Sequence, residues 1–205
     1  MKKIWLCILL IVLCGCTTAK DNKKTESNQT SQSYCDDDTS TCSFGKEADM
    51  SAYEGFDSKD SRFEESDMEH LLATFDQKKS GIFYLGYPSC PWCIEALPVL
   101  NEVAKENDVY VAYVRTRDDQ KELIYTEEQK QKLISLTSAY LEKNDDGEPQ
   151  LFVPFVLVVK DGKAISGHVG TVDGHDAHER TMKDEEKEAL HKIYMEMLNE
   201  MKKQG

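Results

Sequence analysis

The chain has 205 residues, of which 38 are acidic and 25 are Lys or Arg, so its formal net charge at pH 7 is −13. Binding to nucleic acid depends on Lys and Arg side chains that neutralise phosphates, and charge-driven attraction to anionic lipid depends on the same residues. The excess of acid therefore argues against both kinds of partner and otherwise describes an ordinary solvated surface.

The first 15 residues have the pattern of an export signal peptide. Two lysines precede an apolar run over residues 4–13, which is far shorter than the roughly 20 residues of a membrane-spanning helix. The run ends in LCGC, with Gly15 immediately before Cys16, and this resembles the lipobox of bacterial lipoproteins. The resemblance implies cleavage before Cys16 and a diacylglycerol group on its thiol. An ordinary signal followed by an incidental cysteine is the alternative.

A polar tether is predicted over residues 16–60, between the signal and a folded domain over residues 61–205. The tether is poor in residues that could form a core, and a segment of this kind stays solvated. It contains Cys35 and Cys42 in the stretch CDDDTSTC. An even number of cysteines in an exported protein suggests pairs, so a local structural disulfide is favoured over a free or redox-active pair. The three aspartates match no calcium-loop spacing.

The next segments predict a helix and two strands. Residues 66–75 open with Ser66 and Glu69 at the spacing of a capping box, and their apolar residues recur on one helical face. Two short apolar runs, at 81–87 and 109–115, predict buried strands. A helix is predicted between these two strands, directly after the second cysteine of a CPWC motif.

A further helix is predicted over residues 126–143, with Leu133, Leu136 and Tyr140 facing inward. A third strand follows over residues 151–159 and contains a proline. This helix would lie ahead of the proline-containing strand. It is predicted to add either substrate surface or plain scaffold.

The last elements decide the fold class. Asp161 and Gly162 predict a hairpin turn into a strand over 163–170, and the final helix begins at about Asp184. The early alternation of helix and strand requires parallel strands with crossover helices, while the late hairpin adds an antiparallel strand. The order of elements therefore predicts an α/β domain with a mixed central sheet flanked by helices.

Cys90 and Cys93 lie where the strand over 81–87 gives way to a helix that contains Pro98. Unpaired backbone N–H groups and the helix dipole favour an anion at a helix N-terminus, and the thiolate is the reactive form of cysteine. Cys90 is therefore predicted to be the nucleophile, and Cys93, one turn further on, to resolve the mixed disulfide. Pro91 fits the first helical turn because its missing N–H is not needed there.

Proline in a central strand removes a ladder hydrogen bond and is normally excluded. The Val153–Pro154 pair fits if its peptide bond is cis and the strand begins by bending around the cysteine site. The strand before CPWC, the helical Pro98, the stretch FVPFVLVVKDGK and the later GHVG together resemble the thioredoxin family. This resemblance covers residues 62–203 and implies a thioredoxin-like fold with an extra helix before the cis-proline strand.

The resemblance also implies the roles of several residues. In the thioredoxin family the proline that faces the CxxC motif is cis and shapes the substrate groove. Pro154 would take that part, with Pro91, Trp92, Val153 and Gly170 lining the same groove. More narrowly, YLGYPSCPWCIEALPVL together with GHVGTVDGH is similar to the thioredoxin-like bacteriocin transport accessory proteins of Gram-positive bacteria.

Two positions depart from the thioredoxin pattern. Thioredoxin has a buried acid six residues before the first cysteine and a tryptophan two residues after that acid. Here the two positions are Tyr84 and Gly86. Proton transfer at Cys93 must therefore use another group or water. Glu95 is close to Cys93 in sequence, but spacing alone does not place its carboxylate near the sulfur.

Other readings of the motifs compete with a redox centre. A zinc half-site would need a second ligand pair, and the two tether cysteines are poor candidates for one. A purely structural disulfide would not need the facing Pro154. His168, His175 and His178 are interpreted as loop histidines on a polar surface rather than metal ligands. Trp92 either contacts substrate or packs over the active-site helix.

The sequence thus predicts a lipid-anchored, extracytoplasmic thiol–disulfide oxidoreductase of a Gram-positive bacterium. Its partners would be thiols and disulfides of exported proteins, with a possible electron-transfer partner in the membrane. No metal or bound cofactor is required, because the Cys90–Cys93 pair is its own redox centre. Oxidation or isomerisation is favoured over reduction, since Val153 before the proline resembles oxidase-like members. The alternative is a non-catalytic accessory lipoprotein that holds a peptide or secretion partner in the groove, and a metal chaperone is a third reading.

Overall fold

The structure of the protein is a computed structural model, and it describes residues 45–203. The predicted signal peptide, the lipid-carrying Cys16 and the Cys35–Cys42 pair lie outside the described residues. The elements in chain order are β1 (Phe63–Ser66), α1 (Met68–Asp76), β2 (Gly81–Gly86), α2 (Pro91–Glu106), β3 (Val111–Arg115), α3 (Glu127–Thr137), β4 (Phe155–Lys160), β5 (Lys163–Val169) and α4 (Asp184–Lys203), with short 3-10 helices at Ser58–Asp60 and Ser138–Tyr140.

The strands form a five-stranded mixed sheet in the order β1-β3-β2-β4-β5. β1, β3 and β2 run parallel, and Phe83 of β2 lies opposite Ala112 of β3. β4 is antiparallel to β2, with Phe155 opposite Leu85, and β5 is antiparallel to β4. The predicted thioredoxin-like α/β fold, a mixed sheet flanked by helices, is confirmed, and one of these helices, α3, lies ahead of the strand that follows Pro154.

Both faces of the sheet are covered by helices. Successive side chains of a strand point to opposite faces, so Ile82 and Tyr84 of β2 pack towards α2 and α4, in what we call the α2–α4 layer. Phe83 and Leu85 pack towards α1 and α3, in the α1–α3 layer. Within residues 45–203, no helix combines the length and the apolar character needed to span a membrane.

The start of α1 differs from the prediction. Ser66 ends β1, and Asp67 caps α1 by accepting a hydrogen bond from the backbone N–H of His70 at 2.7 Å. The predicted capping box between Ser66 and Glu69 is therefore wrong. The stretch FEES has little intrinsic strand character, and it forms β1 because its backbone pairs with β3 and with Glu47.

The segment around α3 and Pro154 also differs in detail. α3 is shorter than the predicted helix over 126–143, and a 3-10 turn follows it. Leu133 is buried as predicted, but Leu136 is 38% exposed and Ile134 takes the inward position. β4 begins one residue after Pro154, so the proline precedes the strand and removes none of its ladder hydrogen bonds.

The packed domain begins earlier than the predicted boundary at residue 60. Ala48, Met50 and Tyr53 are buried in the α2–α4 layer. The backbone N–H of Ala48 donates to the carbonyl of Phe63 at 2.9 Å, which attaches this segment to the edge of the sheet. The tether prediction is therefore too long at its C-terminal end. Three apolar residues scattered among polar ones show no periodicity from which burial could be predicted.

Candidate active site

Cys90 is the N-cap residue of α2. β2 ends at Gly86, and the chain turns with the backbone N–H of Cys90 donating to the carbonyl of Tyr87 at 3.1 Å. The backbone N–H of Cys93 then donates to Cys90 Sγ at 3.3 Å. A side chain at the N-cap normally accepts from this part of the first turn. Pro91 begins the helix, where the absence of an N–H leaves no group unpaired.

These contacts lower the pKa of the Cys90 thiol below its ordinary value. The largest cause is the hydrogen bond from the Cys93 thiol, and the backbone N–H groups of Cys93 and Trp92 add to it. Burial acts in the opposite direction, because it disfavours the charged form. Donors directed at the sulfur thus outweigh desolvation, and Cys90 is the thiol that ionises first.

Cys93 has the opposite environment. Its side chain is fully buried, and burial raises its pKa well above the ordinary value. Its position as hydrogen-bond donor to Cys90 raises the pKa further, since it holds the proton. Both thiols are free in this structure. Two sulfurs three residues apart therefore differ in acidity, and only Cys90 is suited to attack as a thiolate at neutral pH.

The loop before β4 lies against the cysteine motif. The Val153–Pro154 peptide bond is cis, and the Cys90 thiol donates a long hydrogen bond to the carbonyl of Val153 at 3.7 Å. The backbone N–H of Gly170 donates to the carbonyl of Pro154 at 2.8 Å. Gly170 has φ +77°, a backbone conformation that favours glycine. The fold thus brings together Cys90, Val153, Pro154 and Gly170, the residues predicted to lie at one groove.

The segment after β5 covers the outer side of the motif. The ring of Trp92 meets the ring of His178 edge to face, with centroids 4.7 Å apart. Trp92 is half-buried and packs against the core of the α2–α4 layer. Pro91 is half-buried beside it.

His175 lies inside this segment and is buried, so the prediction that it belongs to a polar surface is wrong. Thr171 Oγ1 lies 2.8 Å from its Nδ1, and the carbonyl of Arg180 lies 3.0 Å from its Nε2. Glu95 of α2 approaches it at 4.0 Å and accepts a hydrogen bond from the backbone N–H of Met182 at 2.7 Å. The Glu95 carboxylate therefore joins this segment to α2. Among residues 45–203, no three His, Cys, Asp or Glu side chains converge as metal ligands would.

Buried tyrosines lie behind Cys93, and only Tyr84 among them stands out in the sequence. Tyr84 is fully buried and donates its hydroxyl hydrogen bond to the carbonyl of Cys93 at 3.0 Å. The hydroxyl of Tyr53 donates to that of Tyr113 at 3.1 Å, and the Tyr84 and Tyr113 rings stack with centroids 6.0 Å apart. The alternation in VYVAYVR could have placed Tyr113 on this face of β3. No local signal could have found Tyr53, because its segment has no periodic pattern.

Comparisons with known proteins add little to this description. No family model matches the chain, and neither does any curated protein. One solved structure, a putative oxidoreductase with a thioredoxin fold, is 12% identical, with 67% of this chain and 93% of the other covered and a TM-score of 0.39. Thioredoxin O2 from Arabidopsis thaliana in the oxidized state is 16% identical, with 65% and 96% covered and a TM-score of 0.36. The function of this chain must therefore be inferred from the chemistry of the site itself.

Proposed function

We propose that this chain is a thiol–disulfide oxidoreductase whose redox centre is the Cys90–Cys93 pair. The observation that carries the proposal is the different environment of the two thiols within one helical turn: Cys90 Sγ accepts the backbone N–H of Cys93 at 3.3 Å, and Cys93 is fully buried. Hydrogen bonds lower the pKa of Cys90, and burial raises that of Cys93. A structural disulfide needs no such difference. Thiol–disulfide exchange, in contrast, needs one thiol that attacks as a thiolate and a second that stays protonated until it resolves the mixed disulfide.

The exchange would proceed in two balanced steps. The Cys90 thiolate attacks one sulfur of a substrate disulfide, the substrate S–S bond breaks, and the departing substrate thiolate takes up a proton. Cys93 then loses its proton and attacks Cys90 Sγ, which releases the second substrate sulfur as a thiolate and forms the Cys90–Cys93 disulfide. The substrate disulfide gains two electrons and the cysteine pair loses two. Oxidation of a substrate dithiol follows the same steps in reverse.

The substrate groove would be formed by Pro91, Trp92, Val153 and Gly170, with Pro154 facing the nucleophile. The Val153 carbonyl is within reach of Cys90 Sγ, so a chain bound along this loop would pass beside the reactive sulfur. Phe152, which immediately precedes Val153, is 48% exposed. A large apolar side chain on the solvent side of the groove fits an unfolded polypeptide substrate, whose apolar side chains are accessible.

The cellular setting is proposed from the sequence. A lipid on Cys16 would anchor the protein to the extracytoplasmic face of a Gram-positive cell membrane, and residues 17–44 would separate the domain from it. Its substrates would then be thiols and disulfides of exported proteins. A partner in the membrane would exchange electrons with the Cys90–Cys93 pair, which needs no bound cofactor of its own.

The direction we favour is oxidation or isomerisation. A nucleophilic cysteine with a lowered pKa stabilises the dithiol form relative to the disulfide, so the disulfide becomes the stronger oxidant. The hydrogen bonds to Cys90 act in this direction. The resemblance to oxidase-like members at Val153 agrees with it.

The test is the reduction potential of the Cys90–Cys93 pair. The full-length chain carrying Ser at its other cysteines (Cys7, Cys14, Cys16, Cys35 and Cys42) would be equilibrated against glutathione buffers and the thiols trapped by alkylation. A potential in the glutathione range or more oxidising supports an oxidase or isomerase, and a strongly reducing one supports a reductase. A pair that stays oxidised in every buffer would contradict the proposal and leave a structural disulfide.

One observation favours the second candidate, a lipoprotein that holds a peptide or secretion partner. Cys90 is only 3% exposed, which is little for a group that must reach another protein's disulfide. Replacing Cys90 by Ser in the cell separates the two roles, because a holding protein keeps its biological effect without the thiol and an enzyme does not.

A further inference from the structure

The buried tyrosines behind Cys93 have no part in the exchange steps described above. Tyr84 lies against the first turn of α2, where its hydroxyl contacts the carbonyl of Cys93 at 3.0 Å. Tyr84 also acts on the thiol of Cys93, whose pKa it lowers against the larger, opposite effect of burial. We propose that the Tyr84 hydroxyl is the hydrogen-bond donor that stabilises the Cys93 thiolate whenever it forms. The inference rests on the proposed thiol–disulfide exchange.

Tyr84 would act as a donor and not as a base. Burial raises its own pKa well above the ordinary value, and the neighbouring Cys93 raises it further, so the phenol keeps its proton. A hydroxyl hydrogen rotates about the C–O bond to suit its surroundings. The hydrogen that now points at the Cys93 carbonyl can therefore turn to the sulfur when the sulfur becomes charged. A hydrogen bond to a charged acceptor is stronger than one to a neutral acceptor.

The space for this hydroxyl depends on Gly86. A Cβ atom at Gly86 would lie 3.0 Å from both Cζ and the hydroxyl oxygen of Tyr84. A larger side chain at that position would therefore displace the phenol. Tyr84 and Gly86 are the two positions at which the sequence departs from the thioredoxin pattern, and this geometry makes them a single, coupled change. The phenol occupies room that the glycine leaves open.

Neighbouring rings fix the position of Tyr84. The Tyr53 hydroxyl donates to that of Tyr113 at 3.1 Å, and the Tyr113 ring stacks on that of Tyr84 with centroids 6.0 Å apart. The ring of Phe63 lies 5.7 Å from that of Tyr84, measured between centroids. Tyr53 is thus a positioning residue that comes from the segment ahead of β1. In this way the N-terminal segment contributes to the electrostatics of the cysteine pair.

The step affected is the one in which Cys93 carries negative charge. In the reducing direction the Cys93 thiol gives its proton to solvent, and the thiolate attacks Cys90 Sγ as the Cys90–substrate bond breaks. In the oxidising direction a substrate thiolate attacks Cys90 Sγ, and Cys93 leaves as the thiolate that takes up a proton. Tyr84 donates a hydrogen bond to that sulfur in both directions, and its own O–H bond is not broken.

The experiment separates the two cysteines with dithio-bis-nitrobenzoate, a symmetric aromatic disulfide. The full-length chain with Ser at its other five cysteines is reduced, freed of reductant and mixed with the reagent. Attack by Cys90 releases one coloured nitrothiobenzoate and leaves the other on Cys90. Attack by Cys93 on Cys90 Sγ then releases the second. The two phases are followed against pH for the parent chain and for Tyr84→Phe, Gly86→Ala and Tyr194→Phe.

Tyr84→Phe is expected to leave the first phase unchanged and to slow the second about three- to tenfold at neutral pH. The loss of thiolate outweighs the higher nucleophilicity of a more basic sulfur. The pH midpoint of the second phase should rise by about one to two pH units. A shift of this size corresponds to the loss of one hydrogen bond to a charged group. Gly86→Ala retains the Tyr84 hydroxyl but displaces it, so this variant should also slow the second phase and raise its pH midpoint.

Tyr194→Phe is the matched control. Tyr194 is equally buried in the α2–α4 layer, and its hydroxyl has no hydrogen-bond partner among the described residues. Removing that hydroxyl should leave both phases unchanged. The inference is overturned if Tyr84→Phe retains the parent's second phase and pH midpoint, or if Tyr194→Phe alters them as much. A parent chain that never releases the second nitrothiobenzoate instead contradicts the proposed exchange itself.

Discussion

The two layers of the domain are buried to the same degree but differ in chemistry. The α1–α3 layer is built from aliphatic side chains, Met and Phe. The α2–α4 layer contains Cys90 and Cys93 together with the buried hydroxyls of Tyr53, Tyr84 and Tyr194. One face of the sheet therefore serves as scaffold, while the other holds the thiols together with buried hydroxyls, of which that of Tyr84 donates to the carbonyl of Cys93.

The difference follows from the alternation of side chains along β2. Phe83 and Leu85 face the scaffold, whereas Ile82 and Tyr84 face the cysteine helix. A shift of register by one residue would exchange the two sets. Changes in the α1–α3 layer should therefore affect stability alone, whereas changes at Tyr84 and at the residues that position it in the α2–α4 layer should also affect the thiols.

The largest effect is expected from Cys90→Ser. A serine hydroxyl does not ionise in the accessible pH range, so turnover of a disulfide-bonded protein substrate should fall to the uncatalysed background. Cys42→Ser is the matched control, because it removes a cysteine outside the described domain and should preserve turnover. Substantial turnover by Cys90→Ser would show that the α2–α4 layer does not contain the reactive centre.

Leu71→Ala should separate stability from chemistry. Leu71 is fully buried in the α1–α3 layer, and truncation of a buried leucine to alanine costs about 2–5 kcal/mol. Urea unfolding should register that loss, while the reduction potential of the cysteine pair stays at the parent value. Leu100→Ala provides the corresponding truncation in the α2–α4 layer. A potential altered by Leu71→Ala would contradict the separation between the layers.

Cys93→Ala should raise the pKa of Cys90. The thiol of Cys93 is the largest cause of the lowered Cys90 pKa, and alanine cannot replace that hydrogen bond. Since the thiolate fraction rises as pH passes the pKa, the midpoint of Cys90 alkylation by iodoacetamide should move to higher pH by about one unit. The rate profile in a chain with the other cysteines changed to Ser measures this. An unchanged midpoint would mean that backbone donors alone set the acidity.

The smallest effect is expected from Thr126→Ala at the start of α3. Thr126 Oγ1 accepts from the backbone N–H of Gln129, whose side chain accepts in return from the backbone N–H of Thr126. Loss of such a cap lowers the free energy of unfolding by about 1 kcal/mol. The reduction potential of the Cys90–Cys93 pair should again stay unchanged. Ser135→Ala, on the exposed part of the same helix, should change the free energy of unfolding by less than about 0.5 kcal/mol. Equal losses in the two variants would argue against a specific capping contribution.

Most elements of the fold could be predicted because their signals are local. Apolar runs bounded by turn residues predicted β2, β3 and β4, and helical periodicity predicted α1, α2 and α4. The misses occurred where long-range contacts decide the structure. FEES became β1 through its pairing with β3, and the segment around Tyr53 was buried by the sheet edge. His175 became a core residue because Thr171 and the Arg180 carbonyl satisfy its ring nitrogens.

By itself, the sequence determined the position of Cys90 at a strand-to-helix junction and the spacing of Cys93 one turn further on. Both depend only on neighbouring residues, because capping and helical geometry are local. The tertiary structure alone decided which groups surround the two sulfurs. The Val153 carbonyl beside Cys90 lies 63 residues away along the chain, and Tyr53 meets Tyr113 across 60 residues. Such contacts are set by sheet register and packing, which no short stretch of sequence encodes.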